Sequence, residues 1–275
     1  MNDIERERLR ALRASILQSY NQSWNNNPDG TPADGYPHCE KCRNKRRIME
    51  MQTIRGNDYE FSQECDCMKQ IRALRNIRQS GLEIRLNDCN FENFVRRAEH
   101  QKQMYNLAQE FLHSNAKNWF AVLGQSGAGK THICTALCGE LLKRGQSVKL
   151  LRWAVELKRI KMLGGGSDEY CCEIDKIFEN DVIYIDDLFK RGGGYAPNDA
   201  DVRLAFEIVD TAAALEKTLI LSCEDTLRSL IDIDEATAGR IRQQCGKYLL
   251  QIPRDQTKNY RLTNENIKGE KHEKF

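Results

Sequence analysis

One segment of the chain has the residue types and the spacing needed to hold the phosphates of a nucleotide. Gly124 to Thr131 matches the pattern G-x-x-x-x-G-K-[ST] at every fixed position, between an apolar run and a helical pattern. Its backbone N–H groups can wrap phosphates, Lys130 is expected to bridge the β- and γ-phosphates, and Thr131 to hold Mg²⁺. A chance glycine-rich turn is the alternative. We predict an ATP-binding loop made of Gly124, Gln125, Ser126, Gly127, Ala128, Gly129, Lys130 and Thr131.

Two adjacent carboxylates end a second apolar run. The segment Asp181-Val-Ile-Tyr-Ile-Asp-Asp187 has the pattern of a buried strand with acids at its carboxyl end. Such a strand can deliver one carboxylate to the magnesium shell and one to the attacking water. We assign Asp186 to the metal and Asp187 to the polarisation of water. Paired acids at a strand end can also be solvated turn residues, but the complete phosphate loop earlier in the chain favours the functional interpretation.

Four cysteines in the first quarter of the chain have the spacing of a metal site. Cys39-x-x-Cys42 is followed after 22 residues by Cys65-x-Cys67. Two pairs of thiolates of this kind bind tetrahedral Zn²⁺, and His38 could replace one ligand. Redox-active or inert buried thiols are the alternatives, although no βαβ pattern surrounds the C-x-x-C. The other seven cysteines are expected to be small buried hydrophobic residues.

The elements that must position these residues indicate an α/β fold with a doubly wound parallel sheet. Strands separated by helices imply right-handed crossovers and a sheet covered on both faces. The patterns predict a helical, zinc-binding N-terminal domain at 1–80, a linker at 81–96 and an ATPase domain at 97–275. Strands are expected at Trp119–Leu123, Val148–Leu151, Val182–Ile185, Leu219–Leu221 and Tyr248–Ile252, and helices near 5–20, 68–79 and 97–113.

Charge and hydropathy limit the classes of partner. Lys and Arg number 42 against 40 Asp and Glu in 275 residues, so the net charge of +2 gives no overall polyanion-binding signature. Any contact with nucleic acid must therefore be local. No stretch approaches the roughly 18 apolar residues of a membrane span, and the start lacks an apolar signal region. We expect a cytoplasmic protein without a membrane partner.

Two basic segments are candidates for local contact with nucleic acid. The run from Lys190 to Asn198 combines two cations, three glycines and an aromatic residue, a composition that can follow a phosphate backbone and stack on a base. We predict contacts with single-stranded DNA by Lys190, Arg191 and Tyr195, although mobile surface loops share this composition. The run from Arg43 to Arg47 could touch DNA or an acidic partner, but charge runs are more often only solvated.

Several motifs occur here in one combination. They are Cys39-Glu-Lys-Cys42 with Cys65-Asp-Cys67, Phe91-Glu-Asn-Phe94, Gly124 to His132, Ile185-Asp-Asp-Leu188, Ile231 to Ile241 and Asn259-Tyr-Arg-Leu262. In this combination the chain resembles the DnaC/DnaI-type replicative helicase loaders, especially phage and prophage versions, and the related IstB-type transposition helper ATPases. The resemblance implies an AAA+ ATPase that assembles into a ring or spiral, binds ATP and single-stranded DNA, and engages the hexameric replicative helicase through its N-terminal domain.

The resemblance also implies residue roles and one departure. It marks Arg240 as an arginine finger that acts across a subunit interface, with Arg242 and Arg261 as the next candidates. Many AAA+ proteins carry a polar sensor Asn after the strand that here ends at Leu221. This chain has Ser222-Cys-Glu224 instead, so Ser222 and Glu224 are the candidates to orient water.

The combined interpretation is an ATPase, slow and stimulated by assembly or DNA, that loads the replicative helicase onto single-stranded DNA. The principal alternative is an IstB-like transposition helper, against which the cysteine cluster argues because such helpers need not carry one. A non-hydrolysing adaptor switched by ATP stays open because of Glu224. A small-molecule P-loop kinase would need an acceptor site and a lid, but no appended cysteine module.

Overall fold

The chain folds into two compact units, residues 1–75 and 76–275. The computed structural model describes residues 3–54, 57–114, 118–190, 196–255 and 258–259, and at 3–10 and 21 it describes the backbone alone. Among these described residues, no helix is both long and apolar enough to cross a membrane.

The first unit combines a long helix with a hairpin. Its helix α1 (Asp3–Gln22) precedes the antiparallel strands β1 (Arg47–Ile54) and β2 (Asn57–Glu64). Helix α2 (Cys67–Ser80) follows, and the division between the units falls within it. The sequence has Leu9, Leu12, Ile16 and Tyr20 at helical spacing and predicts that this face packs within the N-terminal domain, but Leu12 and Ile16 are each 59% exposed, whereas Leu17 is buried. Helical spacing alone thus identified the wrong face as the buried one.

The second unit is a five-stranded sheet with helices between the strands, in the order β4-β5-β6-β3-β7, and every neighbouring pair is parallel. The predicted doubly wound α/β architecture is confirmed. Its elements are α3 (Glu83–Asp88), α4 (Glu99–His113), β3 (Phe120–Gly124), α5 (Lys130–Lys143), β4 (Val148–Arg152), a π-helical turn (Trp153–Leu157), α6 (Lys158–Met162), α7 (Asp168–Phe178), β5 (Val182–Leu188), α8 (Asp199–Ala214), β6 (Thr218–Cys223), α9 (Leu227–Ile233), α10 (Glu235–Cys245), a 3-10 turn (Gly246–Tyr248) and β7 (Leu249–Ile252).

Alternate residues of each strand supply two apolar clusters, one for each face of the sheet. In β5, Tyr184 belongs to the cluster built with α4 and α5, and Ile183 and Ile185 belong to the cluster built with α7, α8 and α10. This follows from the two-residue period of side chains along a strand. Burial on both faces holds the carboxyl ends of β3, β5 and β6 rigidly at one edge of the sheet, where the acids and the phosphate loop lie.

The segment 81–96, predicted from the sequence to be a linker, is packed into the second unit. It contains α3, and the side chains of Leu82 and Phe94 are buried in the same apolar cluster as Met104 and Leu137. The two anchors are twelve positions apart, with the six-residue helix α3 and a turn between them, so no single helical or strand period reveals them.

Candidate nucleotide-binding site and metal centre

The phosphate loop connects β3 to α5 through two glycines at positions that disfavour any side chain. Gly124 has a φ of +113°, and a Cβ there would lie 2.1 Å from the carbonyl oxygen of Ile252 on β7. Gly129, the residue before α5, has a φ of +97°, and a Cβ would come within 3.3 Å of Cε2 of Phe94. The loop can therefore turn back on itself and present its N–H groups at the helix N-terminus, the arrangement that binds phosphates.

Lys130 lies buried in this loop with carboxylates nearby. Its Nζ donates a hydrogen bond to the carbonyl oxygen of Gln125 at 2.8 Å. Burial lowers the pKa of Lys130, although the charges of Glu224 and Asp187 partly oppose that effect. Within the described residues the ammonium donates to this carbonyl oxygen and to no carboxylate, so it is available to a phosphate group.

Asp186 is the centre of a hydrogen-bond network at the end of β5. Its side chain is 6% exposed. Its Oδ1 accepts hydrogen bonds from Thr131 Oγ1 at 3.0 Å, from the Tyr184 hydroxyl at 2.9 Å and from Ser222 Oγ at 2.9 Å. The fold thus brings together the two residues that the sequence assigns to magnesium. Tyr184 was not expected in the site, although its position two residues before Asp186 places both side chains on one face of the strand.

Arg85 supplies the remaining contact of Asp186. Its Nη1 donates to Asp186 Oδ2 at 2.6 Å from a position 101 residues earlier, in α3. Burial raises the pKa of Asp186, but the hydrogen bonds and charge of Arg85 and the hydrogen bond of Ser222 outweigh it, so the pKa lies below its ordinary value. Asp186 is therefore held as a carboxylate. The sequence carried no signal for Arg85, because α3 is short and lies in a segment without clear periodicity.

Asp187 points into the same pocket from a strained backbone. Its φ is +59°, and its N–H donates to Ser222 Oγ at 2.8 Å. Phe189 has a φ of +62° and packs edge-on against Trp153. Left-handed backbone at two nearby non-glycine residues is uncommon, and such strain concentrates at functional sites. Ser222, a sequence candidate to orient water, orients the two acids in this structure.

Lys190 lies in the nucleotide pocket. Its Nζ is 2.8 Å from Asp187 Oδ2 and 2.8 Å from Glu224 Oε1. Burial opposes ionisation of Glu224, but hydrogen bonds from Lys190 and Ser126 lower its pKa below the ordinary value. Both carboxylates of the pocket thus share one ammonium. Arg191 and Tyr195, the other two residues expected to contact DNA, lie outside the described residues.

These residues fit magnesium and a nucleoside triphosphate. A hydroxyl beside a carboxylate is the oxygen donor set that Mg²⁺ takes in phosphate-loop proteins, and a buried lysine and a helix N-terminus face the same space. Bound there, the metal would supply charge neutralisation for the phosphates. The pocket is lined on its charged side by Asp187, Lys190 and Glu224, and elsewhere by Cys89, Phe94, Val95, Gln101, Ser126, Gly127, Gly129, Lys130, Thr131 and His132.

The four N-terminal cysteines converge on one point. The sulfur atoms of Cys39, Cys42, Cys65 and Cys67 all lie within 4.8 Å of one another, and none forms a disulfide. The Cys39–Cys65 and Cys42–Cys67 sulfur distances are 3.8 and 3.6 Å. Tetrahedral Zn²⁺ with Zn–S bonds of about 2.3 Å requires sulfur atoms about 3.8 Å apart, so the cluster has the dimensions of a Cys₄ zinc site.

Neighbouring residues support this cluster. The N–H of Arg46 donates to Cys42 Sγ at 3.3 Å, and the Asn44 side chain accepts from the Cys39 N–H at 2.8 Å. The Arg46 guanidinium forms two bonds to Asp34, at 2.6 and 2.8 Å. Burial opposes ionisation of Cys39, but hydrogen bonds from the Cys42 N–H and neighbouring thiols lower its pKa to about 7. Burial instead raises the pKa of Cys65 and of Cys67. Polar support of this kind orients metal ligands.

The basic run from Arg43 to Arg47 proves to be structural. Arg43 and Lys45 donate to the carbonyl oxygens of Gln22 and Ser23, at the carboxyl end of α1. Cations at this end of a helix satisfy its last carbonyl groups and favour its dipole. The expectation of a merely solvated run is therefore wrong for these residues.

His38 has partners outside the metal cluster. Its ring stacks on Trp24 with a centroid distance of 4.5 Å, Nδ1 lies 3.3 Å from the Asn44 side chain, and Nε2 lies 3.1 Å from Glu40. The four sulfur atoms complete the cluster without a histidine.

Comparison with known proteins decides the family. The model of the IstB-like ATP binding protein family matches residues 45–231, more than half of the 275 residues, including the phosphate loop and both acids. The chain belongs to this family. It is 29% identical over 212 residues to the uncharacterized protein YqaM of Bacillus subtilis (strain 168), which covers 74% of this chain and 67% of YqaM.

Two further similarities connect this IstB-like protein to helicase loaders. It is 28% identical over 123 residues to the replicative helicase loader DnaC of Escherichia coli (strain K12), covering 43% of this chain and 49%, about half, of DnaC. The crystal structure of the DnaC helicase loader matches with a TM-score of 0.52 at 19% identity, over 61% of this chain and 98% of that one. The structural match shows the fold alone. The resemblance stated from the motifs and the AAA+ fold are both confirmed.

Arg240 of the IstB-like protein is engaged within its own chain. It forms an ion pair with Asp210 of α8 and is 39% exposed, and the adjacent Ile241 is buried, as its helical position predicts. Arg242 donates to the carbonyl oxygen of Gly246 at 2.9 Å and so caps α10. Arg261 lies outside the described residues. A role of Arg240 at a subunit interface stays a prediction.

The other seven cysteines divide into three groups, of which the partly buried Cys89 forms one by itself. Cys134, Cys138, Cys223 and Cys245 are buried, as expected for small hydrophobic residues. Cys171 and Cys172 are exposed on α7, so the expectation is wrong for this pair. Their place on the outer face of an amphipathic helix explains the difference, because Ile174 and Ile177 of the same helix are buried.

Proposed function

We propose that this IstB-like protein is an ATP-dependent loader that places a hexameric replicative helicase on single-stranded DNA. The observation that carries the proposal is the presence, in one chain, of a Cys₄ cluster and a complete phosphate-loop site. The similarity to DnaC, which is named as a replicative helicase loader, supports it.

In this proposal, Lys130 and the loop hold the phosphates of ATP, while Thr131 and Asp186 hold Mg²⁺. Asp187 accepts a proton from, or orients, the attacking water. Its carboxylate already accepts a hydrogen bond from Lys190. The lysine must leave Asp187, either keeping its contact with Glu224 or turning to a phosphate, before Asp187 can act, so hydrolysis should be slow in the isolated subunit. Assembly or DNA binding would then stimulate turnover by moving Lys190 away from Asp187.

The N-terminal unit would use Zn²⁺ to fold and α1 to bind the helicase. Among its described residues, Leu17, Cys42, Cys65 and Ile71 are the buried apolar ones, so little apolar surface stabilises the unit. A metal bound by four thiolates supplies folding free energy to a module of this kind. Leu12 and Ile16, the exposed apolar side chains of α1, then form a surface suited to a protein partner.

The proposed assembly is a ring or spiral in which the site of one subunit is completed by its neighbour. Arg240 would supply the arginine finger after leaving Asp210. Single-stranded DNA would be bound through Arg191 and Tyr195, while the paired position of Lys190 favours a role at the nucleotide.

The second candidate is a transposition helper, which the IstB-like family match favours. Recovery of the protein from an extract of its host, once with ATP and once with ADP, distinguishes the two. For a loader, the amount of hexameric replicative helicase recovered should differ between ATP and ADP. Recovery of a transposase would overturn the proposal.

Three variants make this experiment specific. Lys130→Ala, which should lose ATP binding, should remove the nucleotide dependence of helicase recovery. Cys39→Ser with Cys42→Ser should lose the helicase but keep ATP binding. Cys171→Ser with Cys172→Ser alters an exposed pair outside the cluster and should behave as wild type. ATP-dependent helicase recovery without measurable hydrolysis would indicate an adaptor that ATP switches by binding alone.

A further inference from the structure

The ion pair between Arg85 and Asp186 places a cation of the chain beside the expected magnesium ligands. The guanidinium nitrogen is 2.6 Å from Asp186 Oδ2, and Thr131 Oγ1 is 3.0 Å from Oδ1 of the same carboxylate. Asp186 is almost fully buried, whereas 33% of the Arg85 side chain remains exposed. Arg85 can therefore move toward solvent, while Asp186 cannot.

The hydrogen bonds of Asp186 leave one oxygen for the shell of a metal. Three hydroxyl groups already donate to Oδ1, so Oδ2 is the oxygen with unused acceptor capacity, and Arg85 donates to it. A carboxylate oxygen has about two lone-pair sites. A guanidinium and a divalent cation with its waters would also repel each other across one carboxylate in a weakly screened pocket.

We infer that Arg85 is a positioning residue for Asp186, which holds this carboxylate in the metal-free protein and releases Oδ2 when Mg²⁺ and nucleotide bind. In the empty site the guanidinium supplies the positive charge that the buried carboxylate needs, because an unpaired buried charge is strongly destabilising. Arg85 thereby keeps Asp186 ionised and pointed at Thr131, and it also raises the concentration of Mg²⁺ that the site requires. The inference rests on ATP and magnesium binding within the proposed function and not on helicase loading.

The test is a Mg²⁺ titration at a fixed concentration of a non-hydrolysable ATP analogue, with nucleotide binding as the readout. Arg85→Gln should lower the Mg²⁺ concentration at half-maximal binding by about tenfold, the effect of removing one charge-assisted hydrogen bond that competes with the metal. It should also lower the melting temperature of the metal-free protein. A merely structural arginine would lower the melting temperature without lowering the Mg²⁺ midpoint.

Two further variants keep the inference falsifiable. Arg85→Lys retains a charge but loses the planar guanidinium, so it should shift the midpoint in the same direction by less, and it provides the test if Arg85→Gln does not fold. Arg228→Gln makes the same change at a side chain that is 85% exposed and should leave the midpoint unchanged.

The outcomes are distinct. A midpoint that stays equal or rises in a folded Arg85 variant overturns the inference while the proposed function stands. Wild-type protein that binds the analogue without any dependence on Mg²⁺, or fails to bind it, overturns both the inference and the nucleotide part of the proposed function.

Discussion

Thr131 Oγ1 lies 3.0 Å from Asp186 Oδ1 although the two residues are 55 positions apart in the chain. The hydroxyl at the start of α5 and the carboxylate at the end of β5 are thus joined by a direct hydrogen bond. Strand β6 lies between β3 and β5 in the sheet, and its Ser222 bonds to both acids. A donor set fixed in this way loses little conformational entropy when a metal binds.

The two acids should respond differently to removal of their charge. We expect Asp186→Asn to weaken the Mg²⁺ dependence of ATP binding, because Arg85 and the metal lose the buried carboxylate. Asp187→Asn should bind ATP normally but slow turnover by about 10²- to 10⁴-fold, the usual contribution of a general base. Nucleotide binding with and without Mg²⁺ and steady-state hydrolysis measure both effects. Asp232→Asn, at an acid that is 65% exposed, is the control. Equal effects of Asp186→Asn and Asp187→Asn would show that the roles of the two acids are misassigned.

The cysteine cluster should hold about one zinc ion per chain. Changing Cys39 and Cys42 to Ser should release the metal and unfold the N-terminal unit, because that unit has few buried apolar side chains. The second unit, residues 76–275, should still bind nucleotide. Metal analysis of freshly purified, reduced protein, combined with nucleotide binding, checks this expectation. Protein without metal, or a folded N-terminal unit after the double change, would contradict it.

We expect Lys190 to contribute to ATP binding, and Arg191 and Tyr195 to contribute to binding of single-stranded DNA. Lys190→Gln leaves Asp187 and Glu224 without their shared cation, so ATP affinity should fall by roughly tenfold, while affinity for single-stranded DNA should stay within about twofold. Arg191→Ala with Tyr195→Ala should instead weaken single-strand binding and reduce its salt dependence, with ATP affinity retained. Binding titrations at two salt concentrations decide. Loss of single-strand affinity in Lys190→Gln alone would restore Lys190 to the DNA-binding surface.

Arg240 should act on the site of a neighbouring subunit. We expect Arg240→Ala to bind ATP normally and to hydrolyse it on the order of a thousandfold more slowly, as for arginine fingers in related reactions. Asp210→Asn breaks the same ion pair and is the matched control: it should change stability in a similar way but leave turnover intact.

Mixing inactive variants tests the direction of this effect. Arg240→Ala supplies an intact ATP site and Lys130→Ala supplies an intact finger, so the mixture should regain activity if the arginine acts in trans. If the two variants assemble together and remain inactive, Arg240 is structural, and Arg242 or Arg261 becomes the next candidate.

The phosphate loop and the acids could be predicted because local rules determine them. Glycines at fixed spacing, a lysine at the start of a helix and an apolar strand ending in acids each constrain the backbone within a few residues. Arg85 could not be found this way, because its contact spans 101 positions and starts from a six-residue helix. For Lys190, composition indicated nucleic acid, but the left-handed turn at Asp187 directs its side chain to the carboxylates.

The backbone at Asp187 also limits which residues could replace this acid in the proposed hydrolysis of ATP. A φ of +59° is tolerated best by glycine, asparagine and aspartate, and it costs other residues roughly 1–2 kcal/mol. Exchange of Asp187 for the longer Glu would provide a base with greater reach, but the positive φ would lower the free energy of unfolding of the protein. A faster variant would then have to be accompanied by compensating substitutions elsewhere, for example one that relaxes the second left-handed residue, Phe189.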